Sequence, residues 1–226
     1  MPQMPPRLVK TSSEEHLTRL EGRISQNMNS CRKRKRKIVV CVCGMTGCGK
    51  STVAKKLAEK YGLRYLSGGN ALKALAVEAG YKLAEVGWWE TDEGMRFLRQ
   101  RMEDSKFDKK VDEKLVELAK QGNVVLDSWT MPWLLKEGFK VWLEASSGVR
   151  ARRVAERDGI GVERALGILK EKDERTRVIY KRLYGFDLGS DFSPFDLILA
   201  TDDLGADDVF QAVCLVVHRL VFGKSF

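Results

Sequence analysis

The sequence predicts an α/β fold in which helices cover both faces of a parallel sheet. Three observations predict it. Short apolar runs alternate with longer stretches of helical spacing from residue 38 to residue 222, the pattern of strand–helix–strand units. The first run, Ile38-Val39-Val40-Cys41-Val42-Cys43, is apolar without interruption, as a strand buried on both faces is. It leads directly into Gly44-Met45-Thr46-Gly47-Cys48-Gly49-Lys50-Ser51, which fits G-x-x-x-x-G-K-[ST], the phosphate-binding P-loop.

Each element can be justified in order. After the loop, Val53, Ala54, Leu57, Ala58 and Tyr61 recur at helical spacing over Ser51–Tyr61, and Gly62 supplies the left-handed stop. A short second strand is expected at Leu63–Leu66, then a helix over about 69–79. A helical stretch covers roughly 93–120, with a break near Ser105. The third strand is Asn123–Asp127 and the fourth Phe139–Glu144. Helices follow at about 148–157 and 162–183, a fifth strand at Phe195–Ala200, and a last helix at about 206–222. No internal repeat is found.

The chain has 226 residues, 43% of them hydrophobic, enough to bury a core. No apolar run reaches the about 18 residues that cross a bilayer, so no membrane partner is expected. Residues 1–10 lack the apolar stretch of a secretory signal. The five cysteines are odd in number and contain no C-x-x-C pair, which points to the reducing cytoplasm and away from disulfide or zinc scaffolds. The net charge of +9 is uneven. Residues 1–37 hold ten Lys/Arg and three acids, so they carry +7 of it. Residues 1–31 are poor in large apolar side chains, and 1–37 is read as a disordered basic extension, with a transient helix over Ser13–Leu20. Its block Arg32-Lys33-Arg34-Lys35-Arg36-Lys37 has three readings: a contact for RNA or another polyanion, a nuclear localisation signal, or a solvated boundary. Nucleic acid is expected only through this arm. Oligomeric state is not legible.

The chemistry concentrates around the loop. Backbone N–H groups of Gly44 to Thr52 face a nucleotide's phosphates, Lys50 reaches the β- and γ-phosphates, and the Ser51 hydroxyl is the Mg²⁺ ligand. ATP and Mg²⁺ are therefore the expected cofactors. Asp127 ends an apolar strand and falls on the sheet edge where ligands bind; it supports the metal or the acceptor. Arg150, Arg153 and Arg157 share one helical face (i, i+3, i+7), the spacing for three guanidinium groups aimed at a transferring phosphate. Asp158-Gly159-Ile160-Gly161 reads as the hinge of a closing lid. Trp129 and Trp133 follow the third strand, where an indole either stacks on a base or packs against a helix. Trp88-Trp89 reads as packing or interface. His16 and His218 are isolated, and no Ser-His-Asp set exists. Two classes of function fit these residues: a kinase of a small phosphorylated acceptor, and a nucleotide-binding regulator tied to RNA through the arm.

Taken together, Gly44 to Thr52, Ala54 to Leu63, Glu117 to Leu126, Val141 to Ala145 with Val149 to Arg157, Tyr180-Lys181-Arg182-Leu183-Tyr184-Gly185-Phe186-Asp187 and Asp196 to Leu199 resemble the archaeal-type cytidylate kinases, P-loop nucleoside monophosphate kinases. The Tyr-x-x-x-Tyr-Gly-x-Asp element is the most specific of these. The resemblance spans nearly all of 38–223. It implies a P-loop NTPase fold with a five-stranded parallel sheet, a mobile substrate-binding segment at about 68–120 and a lid at about 150–180. It also implies transfer of the γ-phosphoryl of ATP to CMP or dCMP, with another small acceptor as the alternative. Lys73, Asp127, Trp129 and Arg175 are the expected acceptor contacts. The departures fall on that side. Lys73 stands where the family usually has arginine, and Ser128-Trp129 where it has Gly-Arg. Lys172, Thr176 and Ile179 stand where it has Arg, Glu and Arg, with Arg175 and Arg177 offered as neighbouring substitutes. About ten extra residues, Trp88-Trp89 among them, fall between Lys82 and Lys106.

Overall fold

The computed structural model describes residues 37–84 and 87–223. The extension, its transient helix and all of the basic block but Lys37 lie outside the described residues. Five strands form one sheet in the order β2-β3-β1-β4-β5, every pair parallel. They are β1 (Val39–Cys43), β2 (Arg64–Ser67), β3 (Val124–Asp127), β4 (Phe139–Glu144) and β5 (Leu197–Ala200). The helices are α1 (Lys50–Tyr61), α2 (Gly68–Glu78), α3 (Asp92–Glu103), α4 (Lys106–Lys120), α5 (Met131–Leu134), α6 (Ser147–Asp158), α7 (Val162–Tyr184) and α8 (Ala206–Phe222), with a 3₁₀ turn at Trp88–Glu90.

Alternation along β1 sorts its side chains to two cores. Val40 and Val42 pack with Leu57 of α1 and Val213 and Val217 of α8. Cys41 points the other way, to Leu72 of α2, Leu115 of α4 and Leu126 of β3. Both faces are thus covered, which is why the strand reads as continuously apolar. A third, smaller cluster of Ala151, Val154, Ala155, Ala165 and Leu169 joins α6 to α7. The small alanines let these two helices pack closely as a hairpin.

The elements follow the sequence pattern within one residue, except that β5 starts two residues later than expected, at Leu197. The expected break at Ser105 is real. Asp104 turns extended (φ −124°), and its carboxylate accepts from the Lys106 N–H at 3.0 Å. Gly62 ends α1 in the left-handed region (φ 61°), and its N–H reaches the carbonyls of Ala58 and Glu59. Two elements were not anticipated. The turn at Trp88–Glu90 and the four-residue α5 are too short to show periodicity.

Register brings the site together. Val42 of β1 and Ser67 of β2 both lie level with Asp127 of β3. The C-terminal ends of these three strands therefore open on one edge, beside the loop that follows β1.

Candidate active site

The glycine loop is shaped by three distinct backbone demands. Gly44 (φ 141°) passes so close to β4 that a Cβ would lie 2.3 Å from the Leu143 carbonyl oxygen. Gly47 (φ 88°) runs over α6, where a Cβ would meet the Arg150 carbonyl at 2.9 Å. Gly49 (φ 89°) has open space around it but takes a left-handed conformation at the N-cap of α1, which glycine adopts without penalty. The positive end of α1 thereby faces the cavity, as anion binding at a helix N-terminus requires. The loop is also braced from outside. Trp129 Nε1 donates to the Gly44 carbonyl at 2.8 Å, and Arg150 donates to the Thr46 carbonyl at 3.1 Å.

Thr46 to Thr52 line a cavity of about 800 Å³ on the open sheet edge, whereas Gly44 and Met45 lie beneath it. Met45 is buried in the core, and its carbonyl accepts from Lys50 Nζ at 2.9 Å. Lys50 also lies over the Trp129 ring, 5.6 Å from its centroid. Burial pushes the Cys48 thiol pKa upward, so this loop cysteine is held as an unreactive thiol.

Ser51 and Asp127 meet across the cavity floor. The Ser51 hydroxyl donates to Asp127 Oδ2 at 2.6 Å, and the Tyr65 hydroxyl donates to the same oxygen at 2.9 Å. Burial, then the Asp127 charge, raise the Tyr65 pKa to about 12, which keeps it a donor. Among the described residues no group of three or more His, Cys, Asp or Glu is arranged to hold a metal. One hydroxyl and one carboxylate suit Mg²⁺, which keeps several waters and takes its remaining oxygens from substrate phosphates. The donor set therefore fits the expected ion.

The other half of the cavity is made of side chains from separate elements. Glu90 is buried and accepts from Lys172 at 2.7 Å and from Arg157 at 3.0 Å. It ties the 3₁₀ turn to both α6 and α7. Gly87 (φ 64°) allows this approach, because a Cβ there would lie 2.7 Å from the Asp158 carboxyl carbon. Lys172 is wholly buried; burial lowers its pKa and Glu90 works against that. Burial likewise lowers the Lys73 pKa. Arg101 and Asp108 form a bidentate pair (3.0 and 2.5 Å), each 1% exposed. Burial opposes the Arg101 charge, and Asp108 more than restores it. Asp112 accepts from Thr130 at 2.6 Å and Tyr184 at 2.8 Å, and burial raises its pKa to about 6.

The expected site residues divide accordingly. Lys50, Ser51, Thr52, Lys73, Asp127, Trp129, Arg153 and Arg157 line the cavity. Arg150 does not. It lies under the loop, buried, and pairs with Asp173 of α7 at 2.8 Å. The three guanidinium groups therefore do not act as one face. Arg150 braces the loop, and Arg153 donates to the Thr201 carbonyl at 2.6 Å. Arg157 is shared between Asp158 (2.6 Å) and Glu90. Arg175 is also outside the cavity lining, held by Glu171 at 2.9 Å and by the Met102 sulfur at 3.4 Å. It stands next to Thr176 on α7, but its guanidinium is engaged by Glu171 and Met102 rather than lining the cavity. Trp133 packs against Phe186 (4.0 Å between centroids) and donates to Asp191, so it is a core residue. Trp88 is buried in the second core. Trp89, read only as packing or interface, lines the cavity, as do Glu90, Arg101 and Asp108. For Trp89, Glu90 and Arg101 the one sequence signal is the run of extra residues between Lys82 and Lys106; Asp108 lies beyond it.

Comparison with known proteins agrees with the geometry. The model of the cytidylate kinase-like family matches residues 39–203. The cytidylate kinase of Pyrococcus horikoshii is 36% identical over 82% of this chain and 91% of its own. That of Methanocaldococcus jannaschii is 33% identical over 81% and 99%. Among solved structures, shikimate kinase from Acinetobacter baumannii superposes with a TM-score of 0.50 at 20% identity, over 85% of this chain and 97% of its own, a likeness of fold. The parallel five-stranded sheet, the glycine loop and these relatives together assign the chain to the cytidylate kinase-like family, as a P-loop phosphotransferase.

Proposed function

We propose that this enzyme transfers the γ-phosphoryl of ATP to CMP or dCMP, releasing ADP and the nucleoside diphosphate. The observation that carries the reading is the Ser51–Asp127 pair at 2.6 Å, set on the floor of one cavity shared by the loop and the side-chain half. Relatives named cytidylate kinase, matched over four-fifths of the chain, support the acceptor.

Each residue has a role in this reading. Backbone N–H groups from Thr46 to Thr52 and the N-terminus of α1 hold the donor's phosphates. Lys50, held over Trp129, places its charge where negative charge spreads during transfer. Arg153 and Arg157 add planar donors from the lid hairpin. Ser51 and Asp127 would hold Mg²⁺, which would supply neutralisation of the charge on the transferring phosphate. Lys73 and Lys172 offer the cations for the acceptor phosphate. In this proposal α2 to α4 form the acceptor-binding segment and α6–α7 the lid. Closing the two over the substrates excludes water and aligns the reacting oxygens. The proposal includes a cytoplasmic setting, as the odd cysteine set leads one to expect. Among the described residues no helix is long and apolar enough to cross a membrane.

One observation favours a second reading, transfer to another small phosphorylated acceptor. Lys172 and Arg157 are both engaged by Glu90, which alters the charge offered to an acceptor phosphate. A panel of nucleoside monophosphates with ATP and Mg²⁺, scored by acceptor-dependent ADP release, separates the two. CMP and dCMP should exceed AMP, GMP and UMP. If no pyrimidine monophosphate raises ADP release above hydrolysis by water, the cytidylate assignment is wrong.

A further inference from the structure

Among the described residues, three buried side-chain atoms have no hydrogen-bond partner: Arg150 Nε, Asp173 Oδ1 and Thr176 Oγ1. The first two belong to groups already bonded through their other atoms, to each other at 2.8 Å, and neither residue lines the cavity. Thr176 differs on both counts. Its single polar side-chain atom is the unpartnered one, and the residue lines the cavity while being 1% exposed. A helical threonine ordinarily turns its hydroxyl to a carbonyl one turn back. Here that bond is absent. A buried hydroxyl without a partner weakens the fold, and such a group in a native structure calls for an explanation.

Its neighbours say what would pair with it. Lys172, Thr176 and Tyr180 repeat at i, i+4 and i+8 of α7, and all three line the same cavity. At the Lys172 end the cations Lys172 and Arg157 gather around Glu90, which marks the place of the acceptor's phosphate in the proposed reaction. One helical turn, about 5.4 Å, separates successive members of this row. Thr176 therefore stands one turn from the phosphate end, where the sugar and base of a nucleotide follow. At the Tyr180 end the row meets Arg101, whose guanidinium donates to the Tyr180 hydroxyl. Trp89, with Lys172 5.5 Å from its ring centroid, lines the same space. A hydroxyl both donates and accepts, so it suits a ligand edge of mixed polarity.

We infer that the Thr176 hydroxyl binds the sugar–base portion of the acceptor nucleotide and helps to set which acceptor is chosen. The inference rests on the proposed kinase reaction. Its test uses the full chain as wild type, Thr176→Val and Thr176→Ser, with kcat and both KM values measured for ATP and CMP, and with Tm. Valine keeps the volume and removes the hydroxyl, whereas serine keeps the hydroxyl. Thr176→Val should raise the KM for CMP about 3- to 10-fold, the loss of one neutral hydrogen bond, and leave the KM for ATP within about two-fold. Its Tm should be equal to or above that of wild type, because no bond within the protein is lost. Thr176→Ser should restore the KM for CMP to within about two-fold of wild type. An unchanged KM for CMP in Thr176→Val overturns the inference and leaves the kinase assignment standing. A Tm lowered by several degrees also overturns it, since the hydroxyl would then have a partner within the protein. Wild type without CMP-dependent turnover defeats the assignment of the reaction itself, and the inference with it.

Discussion

The two halves of the cavity are built in different ways. In the proposed reaction the donor half is seven consecutive residues, Thr46 to Thr52, with Gly44 and Met45 beneath them, and most of its work is done by the main chain. Gly44 and Gly47 are fixed by backbone approaches to Leu143 and Arg150, and Gly49 by its left-handed conformation. The half proposed to take the acceptor draws on residues from Lys73 to Tyr180, held on α2, the 3₁₀ turn, α3, α4 and α7. Side chains do its work, and they are locked by buried ion pairs, Arg101–Asp108 and Lys172–Glu90. A backbone site is a property of one short segment and tolerates little drift. A side-chain site can exchange one cation or carboxylate for another on a different element and still close. Glu90 on a 3₁₀ turn facing Lys172 on α7 is such an arrangement.

Breaking the donor half should have the largest effect. Lys50→Ala removes the charge aimed at the transferring phosphate and should lower kcat by about 10³-fold or more. Lys50 makes one hydrogen bond, to the Met45 carbonyl, so thermal unfolding should shift by only a few degrees. A single-turnover assay with a melting curve checks both.

Breaking the acceptor half should cost stability as well as binding. Glu90→Ala leaves Lys172 buried without its partner, a loss of about 3 kcal/mol. That corresponds to a Tm drop of roughly 6–12 °C for a chain of this size. The KM for CMP should rise more than the KM for ATP. A variant that melts like wild type would show that Glu90 does not hold its turn to α6 and α7.

Asp112 sharpens the comparison through pH. Its folded-state pKa of about 6 exceeds the ordinary aspartate value of 3.8 because it is buried. Both folded and unfolded chains are protonated there below about pH 3.8, and the protonated form is the one the fold prefers. The stabilisation is therefore full at low pH and is lost as pH rises through about 6, by up to about 3 kcal/mol. Asp112→Asn keeps an oxygen for Thr130 and lacks this titration. The Tm difference, variant minus wild type, should grow between pH 4 and pH 7. A difference constant with pH would contradict the buried-carboxyl account.

The smallest effect should come from Arg175→Ala. The guanidinium is tied to Glu171 and Met102 outside the cavity, so both KM values should stay within about two-fold. A tenfold rise in the KM for CMP would return Arg175 to the acceptor site.

The same division explains what the sequence reveals. The sheet, the loop and the helix boundaries are legible because period, glycine position and motif are local signals. Ser51 and Asp127 are found from a motif and a strand end, and they meet at 2.6 Å. Arg150 misleads because spacing puts it on a helical face without saying what covers that face, which here is the underside of the loop and Asp173. Arg175 misleads in the same way: it is one position from Thr176, but Glu171 and the Met102 sulfur hold its guanidinium. Trp89 and Glu90 go unread because their turn is three residues long and their partners lie some 80 residues away. Arg101 and Asp108 are seven residues apart across a helix break, a spacing that carries no periodic signal. Pairings of this kind depend on the fold as a whole.

The proposed reaction joins a complete donor loop to a cytidine nucleotide acceptor in one cavity. It is tested most directly by following both products in one reaction of wild type and Lys50→Ala with ATP, Mg²⁺ and CMP. Wild type should form CDP and ADP in equal amounts, with ADP formation dependent on CMP, and Lys50→Ala should form neither at a comparable rate. ADP released without matching CDP, or equal rates for the two proteins, would contradict it.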